Sequence, residues 1–212
     1  MRICKTILPA VSIVFCCCFF ISCKNEDNKT TSTESADTVT LVDTPLHNMD
    51  TVADTATVPK VAAAEALING TYADTAVNGT ASFTTTANGS VKMSLSITVP
   101  AKANKSVAVH IHEHGDCGDN GNASHGHWNP TKSSHGKWGG DSYHVGDIGN
   151  VKLDAKGKGT LTITTDLWTL GGWAFENILG KAIIVHGGVD DYTTQPTGNA
   201  GSRIGCGLIV AK

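Results

Sequence analysis

From Ala66 onward the chain is a succession of short runs of β-branched or alternating residues, each cut off by glycine or asparagine, and this pattern restricts the fold most. Ala81–Thr84, Val91–Val99, Val107–Glu113, Ile148–Leu153, Thr160–Thr164, Lys181–His186 and Ile204–Val210 read as strands. Asn69-Gly70, Asn78-Gly79, Asn88-Gly89 and Gly157-Lys158-Gly159 read as the turns between them. No segment carries a 3.6-residue apolar period over a helical length. Two connections are long, roughly 114–146 and 187–203. Loops of that length inside a compact domain need a function or a clamp. The pattern predicts an all-β sandwich or barrel with two long functional loops.

What precedes this region is of another kind. All 23 glycines fall between Gly70 and Gly207, and Lys24–Glu65 contains neither glycine nor an aromatic residue. That stretch is rich in Thr, Asp and Ser and carries a net charge of −5, whereas Ala66–Lys212 is neutral. It lacks the apolar content to offset the entropy of ordering, so 23–65 reads as a disordered tether and His47 within it as a solvated residue. The formal charge of the whole chain, −3, argues against a nucleic-acid partner held by a broad basic surface.

The amino terminus reads as an address. Arg2 and Lys5 precede a mainly apolar run, Ile7–Ile21, which is short for a transmembrane helix and suits an export signal. Ser22-Cys23 follows, and a cysteine directly after a small residue resembles a bacterial lipoprotein signal. This predicts cleavage after residue 22 and lipidation of Cys23, with the protein held in the cell envelope on its periplasmic or surface face. Of seven cysteines, Cys4, Cys16, Cys17 and Cys18 leave with the signal and Cys23 takes the lipid. Cys117 and Cys206 remain, an even pair in an exported protein, and a disulfide is expected between them.

Eight of the nine histidines lie between His110 and His186. In Val107-Ala108-Val109-His110-Ile111-His112 the strand alternation sends Val107, Val109 and Ile111 to the core and turns His110 and His112 to the opposite, outward face, about 6–7 Å apart. His127, His135 and His144 lie on the first long loop, with Asp147 three residues after His144, and His186 ends a strand. Three imidazoles and a carboxylate suit tetrahedral zinc, and four imidazoles suit copper. Six histidines and one aspartate fill two such four-ligand sites only if one histidine serves both metals through its two ring nitrogens.

The segments His110-Ile111-His112-Glu113-His114-Gly115-Asp116-Cys117, Gly126-His127-Trp128-Asn129-Pro130, His135-Gly136, His144-Val145-Gly146-Asp147 and Gly198-Asn199-Ala200-Gly201-Ser202-Arg203-Ile204-Gly205-Cys206-Gly207 together resemble copper–zinc superoxide dismutase of the bacterial type, over essentially Ala66–Lys212. The resemblance implies an eight-stranded Greek-key barrel whose activity is dismutation of superoxide to dioxygen and hydrogen peroxide. It implies copper held by His110, His112, His127 and His186, and zinc held by His127, His135, His144 and Asp147, with His127 as the bridge. It further implies that Asp190 links His110 to His135, that Arg203 attracts the superoxide anion, that Thr197 narrows the channel, and that Cys117–Cys206 staples the first loop to the last strand. His114 and His125 fall outside that set and read as surface histidines or as histidines supporting a ligand, with a weak accessory metal site as the alternative reading. Trp128, Trp138, Trp168 and Trp173 read as packing residues.

Two departures stand out. Val107-Ala108-Val109 replaces the usual His-Gly-aromatic run before the first ligand, and Gln195-Pro196 stands where charged guidance residues are common, so steering is expected to be weaker. A monomer and a homodimer are both compatible with the sequence. The alternatives are a metal-sequestering or copper-delivery lipoprotein on the same fold, or a structural module using zinc alone; the first predicts loss of Arg203 or a copper ligand, the second loss of the copper-side histidines. All are present.

Overall fold

In the computed structural model, which describes residues 58–212, antiparallel strands curl into a nearly closed barrel. The strands are β1 (Ala63–Gly70), β2 (Asn78–Thr85), β3 (Val91–Thr98), β4 (Ser106–His112), β5 (Gly149–Lys152), β6 (Lys158–Thr165), β7 (Ala182–His186), β8 (Arg203–Leu208) and the two-residue β9 (Val210–Ala211). Their order is β5-β4-β7-β8-β1-β2-β3-β6, with β9 alongside β1. Strands β1–β3 form a meander; β6 returns beside β3 and β7 beside β4, which are Greek-key connections. Helix among the described residues is limited to two 3-10 segments, Pro100–Lys102 and Asp119–Ser124.

The alternation read from the sequence explains the core. On β3, Val91, Met93, Leu95 and Ile97 are buried while Lys92, Ser94 and Ser96 face outward. They meet Phe83, Ile111, Ile183 and Trp168, all fully buried, and each side chain of this size contributes about 1.5–3 kcal/mol by leaving water. Trp168 also donates its indole N–H to the carbonyl of Val145 at 3.0 Å, which ties the β6–β7 connection to the first long loop. Trp128 is buried too and Trp138 packs against the core from its edge, but Trp173 is 70% exposed and plays no part in packing.

Three expectations need correction. The tether predicted to run to residue 65 stops sooner: β1 begins at Ala63, and Val58 and Val61 already bond to Gly172 and Leu170. Ala63-Ala64-Glu65-Ala66 has weak strand propensity and becomes a strand because β2 and β9 pair with it. Second, the Ile204–Val210 run is two strands, interrupted at Ile209. Third, β4 is buried on both faces. His110 and His112 do point away from the apolar core, as the alternation requires, yet they are 0% and 1% exposed because the two long loops fold over that face. Residues 1–22, Cys23 and His47 lie outside the described residues.

Cys117 and Cys206 are joined, with their Cα atoms 5.7 Å apart and 89 positions between them in sequence. The bond fastens the first loop to β8. Closing a loop of that length removes roughly 4.6 kcal/mol of unfolded-chain entropy in the simplest treatment.

Candidate metal centre

The first loop reaches the outer face of β4 by continuing the sheet where β5 ends. Beyond the Val109–Gly149 pair, the N–H of Ile111 bonds to the carbonyl of Gly146, and the N–H of Trp128 bonds to the carbonyl of Ile111. Gly146 is needed here, because a Cβ at this position would overlap the carbonyl oxygen of Ile111. The result is a backbone bridge between His112 and His127, which sets the loop histidine beside the strand pair. His186 arrives from the end of β7, next to β4 in the barrel.

Two buried donor clusters result. His110, His112, His127 and His186 form one; His127, His135, His144 and Asp147 form the other; within each, the donor atoms lie within 4.8 Å of one another. His127 belongs to both.

Hydrogen bonds on the far side of each ring determine which nitrogen faces inward. His110 donates Nε2–H to Asp190 Oδ2 and His135 donates Nε2–H to Asp190 Oδ1, both at 2.9 Å, leaving the Nδ1 atoms of both rings unpartnered and buried. His112 donates Nδ1–H to the carbonyl of His125 at 2.8 Å, and His186 donates Nδ1–H to that of Gly201 at 3.2 Å. Their Nε2 atoms therefore face each other as lone pairs, 3.4 Å apart, with no proton to share. On the other side, the Nδ1 atoms of His127, His135 and His144 converge on the Asp147 carboxylate at 2.7, 2.9 and 3.2 Å. Only His127 is aligned to donate there; the Nδ1 atoms of His135 and His144 lack a bonded partner, and so does Nε2 of His127.

Protonation does not relieve this crowding. Burial, reinforced by the neighbouring His127 and His186, holds His112 well below the ordinary histidine range. Burial and then His110 push His186 down to about 3. Burial lowers His127 to about 4 despite its bond to Asp147. Burial works against ionisation of Asp147, but the hydrogen bond from His127, the His144 ring beside it and the His144 backbone N–H keep it charged well below the usual carboxylate range. At neutral pH these three rings are uncharged lone-pair donors, the form a metal requires. Unpartnered buried nitrogens aimed at two common centres are what cations would satisfy, so the donor sets fit a copper and a zinc ion.

Asp190 is itself held. Asn150 accepts its backbone N–H and donates to its carbonyl, at 2.9 and 2.8 Å, and Tyr192 N–H donates to Oδ1. Gly198 makes room for the Asp190–His135 bond: its φ is +65°, and a Cβ there would overlap Asp190 Oδ1. Burial opposes the charge on Asp190, yet the bonds from His110 and His135 lower its pKa. Gln195 takes a role that the sequence does not signal. Its amide accepts the backbone N–H of His135 and donates to its carbonyl, each at 2.9 Å, so it clamps the second loop to the first.

Arg203 pairs with His186 across β7 and β8, and its guanidinium donates to the carbonyl of Gly121 at 2.8 Å and to Ser124 Oγ at 2.9 Å. Its charge works against protonation of both His112 and His186, which places it on the side of the four-histidine cluster. Thr197 is half-buried on the second loop beside Gly198. Asn150, Gln195 and Ser124 carry no sequence signal for these roles, because each acts across 40 or more residues.

Comparison with known proteins follows the same line. A family model described as copper/zinc superoxide dismutase (SODC) matches residues 77–209. Superoxide dismutase (Cu-Zn) 5 of Dictyostelium discoideum is 40% identical over 89 residues, 39% of this chain and 57% of that protein. Superoxide dismutase (Cu-Zn) 1 of Aquifex aeolicus is 38% identical over 87 residues, covering 40% of this chain and 52% of the relative. The chain spans about half the length of the curated relatives it matches. The crystal structure of the clock protein EA4 superposes with a TM-score of 0.64 at 29% identity, over 73% of this chain and 97% of that one.

Proposed function

Because the chain belongs to the copper/zinc superoxide dismutase family, we propose that it converts two superoxide anions and two protons into dioxygen and hydrogen peroxide. The observation that carries this reading is the pair of buried donor clusters sharing His127, with their inward nitrogens unpartnered. In it, His110, His112, His127 and His186, whose inward nitrogens converge, would hold copper. His127, His135, His144 and Asp147 would hold zinc. When bound, copper supplies the one-electron couple between the two superoxides, and zinc a fixed positive charge beside His127.

The chain's own residues do the rest. Arg203 draws the anion to the four-histidine side and is kept pointing there by Gly121 and Ser124. Asp190 fixes the tautomers of His110 and His135 together, so one carboxylate orients a ring in each cluster. With its Nδ1 directed to Asp147, His127 has Nε2 as the nitrogen that would take up one of the two protons whenever copper does not engage it. Purified protein should contain one copper and one zinc per chain and dismute superoxide. Full metal content without dismutation would overturn the enzyme reading in favour of metal sequestration or delivery.

The same proposal puts the enzyme in the cell envelope, held by a lipid on Cys23. Superoxide is charged and crosses an apolar membrane poorly, so an enzyme protecting the envelope has to reside there. Cys23→Ala should either retain its signal or appear in the soluble fraction. A cleaved variant that still sediments with salt-washed membranes would refute the lipid anchor.

A further inference from the structure

We propose that Glu113, His114 and His125 form a third metal site, open to solvent, that takes a divalent transition-metal ion, zinc or copper(II). The three residues are exposed, and their donor atoms lie within 4.8 Å of one another. This goes beyond dismutation and does not depend on it.

Two chain segments build the site. Glu113 and His114 continue the path of β4 past His112, and His125 follows the 3-10 segment Asp119–Ser124. Backbone bonds keep the segments side by side: Glu113 N–H donates to the carbonyl of Gly126 at 3.0 Å and His114 N–H to that of Ser124 at 3.2 Å. His125 has a φ of 61° and a ψ of −143°, a conformation usually left to glycine, and its ring stands edge-to-face with that of His114, 4.4 Å between centroids. The Cys117–Cys206 bond restrains the chain between them.

The donors are uncommitted. Among the described residues, neither imidazole of this pair enters a hydrogen bond and Glu113 enters no ion pair. Lys181, the cation near Glu113, lies instead over the Trp128 ring, 4.9 Å from its centroid. Two nitrogens and one carboxylate oxygen suit zinc or copper(II); magnesium and calcium take oxygen ligands. Bonds of ~2.1 Å to a tetrahedral ion bring donors to about 3.4 Å from one another, a contraction that rotation of exposed side chains supplies. Three protein donors leave the remaining positions to water, so the ion exchanges with solvent.

The site also touches the buried centre. The carbonyl of His125 is the acceptor that orients His112, so an ion gripping the His125 ring acts on the residue that aims a copper-side nitrogen. That coupling rests on the metal-centre reading; the existence of the third site does not.

The test is metal stoichiometry, read by dialysis and elemental analysis on the holoprotein with its buried sites already filled, in separate titrations with zinc chloride and copper(II) chloride. A third equivalent should bind, and in the copper arm it should add a second paramagnetic signal. His114→Ala and His125→Ala, singly and together, should weaken that equivalent roughly tenfold or more and leave the first two in place, with a smaller effect from Glu113→Gln. A third equivalent that binds undiminished in these variants belongs elsewhere on the chain and overturns the proposal. So does a wild-type protein that takes up only two equivalents in excess metal. Loss of dismutation alone would strike the proposed function and leave this result standing.

Discussion

His127→Ala is expected to abolish measurable dismutation and to disturb both metals, whereas His144→Ala should mainly weaken zinc. The asymmetry follows from the donor count. His127 presents Nε2 to the four-histidine cluster and Nδ1 to Asp147, so its loss leaves three donors on each side. His144 belongs to one cluster only. Its removal leaves the four imidazoles of the other cluster, with the bonds of His110, His112 and His186 to Asp190, His125 and Gly201, untouched. Removing residues that merely orient a ligand commonly costs 10–100-fold in metal affinity or activity, so deleting a shared ligand should cost more than about 100-fold. Copper(II) spectroscopy distinguishes the cases: the signal should change form in His127→Ala and keep its shape in His144→Ala. Equal loss in both variants would mean that no histidine is shared in this way.

The legible part of this molecule is the part written in local periodicity. Alternation along Val91–Val99 and around His110-Ile111-His112 predicts both the strands and their core faces, because side chains on a strand alternate whatever the rest of the fold does. The donor residues are legible by type and crowding, since eight histidines gathered between His110 and His186 exceed what chance scatter supplies. What alternation does not reveal is what covers a face. The sequence turns His110 and His112 outward, and only the folded loops make that outward face buried. Nor does it reveal β1, whose alanines have little intrinsic preference and are recruited by neighbouring strands. The same holds for the residues that aim the ligands. Asn150 reaches Asp190 across 40 positions and Gln195 reaches His135 across 60, contacts that no local motif encodes. Gln195 reads from sequence as a missing charge; in the fold it is a two-point clamp on a zinc-side loop.

Arg203→Ala should lower activity roughly tenfold or more at low ionic strength while both metals remain bound. Superoxide is small and singly charged, so its capture depends on a local positive field rather than on a shaped cavity. Steering of this kind is general, and superoxide dismutase is its familiar example; the assignment to Arg203 is what is specific here. The neutral charge of Ala66–Lys212 removes a global attraction as the source. The second loop contributes Asp190 and Asp191 and no lysine between Gly187 and Ser202, which leaves Arg203 as the cation at its end. Arg203 stands opposite His186 and opposes the protonation of His112 and His186, so its field reaches the four-histidine cluster. Burial lowers its pKa, yet a guanidinium remains charged at any physiological pH. At an effective dielectric of ~20, a unit charge roughly 5–6 Å from an anion contributes about 3 kcal/mol before screening. The guanidinium is only half-buried, so halving that figure for solvent is fair, and about 1.4 kcal/mol is a factor of ten in rate. Arg203→Lys keeps the charge but loses the planar fork that bonds to Gly121 and Ser124, and should fall between the two. Because the lost interaction is one that salt screens, the alanine variant should also respond less to ionic strength than the wild type. Wild-type activity in a fully metallated Arg203→Ala protein at low salt would move the steering charge to the first loop, where Lys132 and Lys137 are the remaining cations.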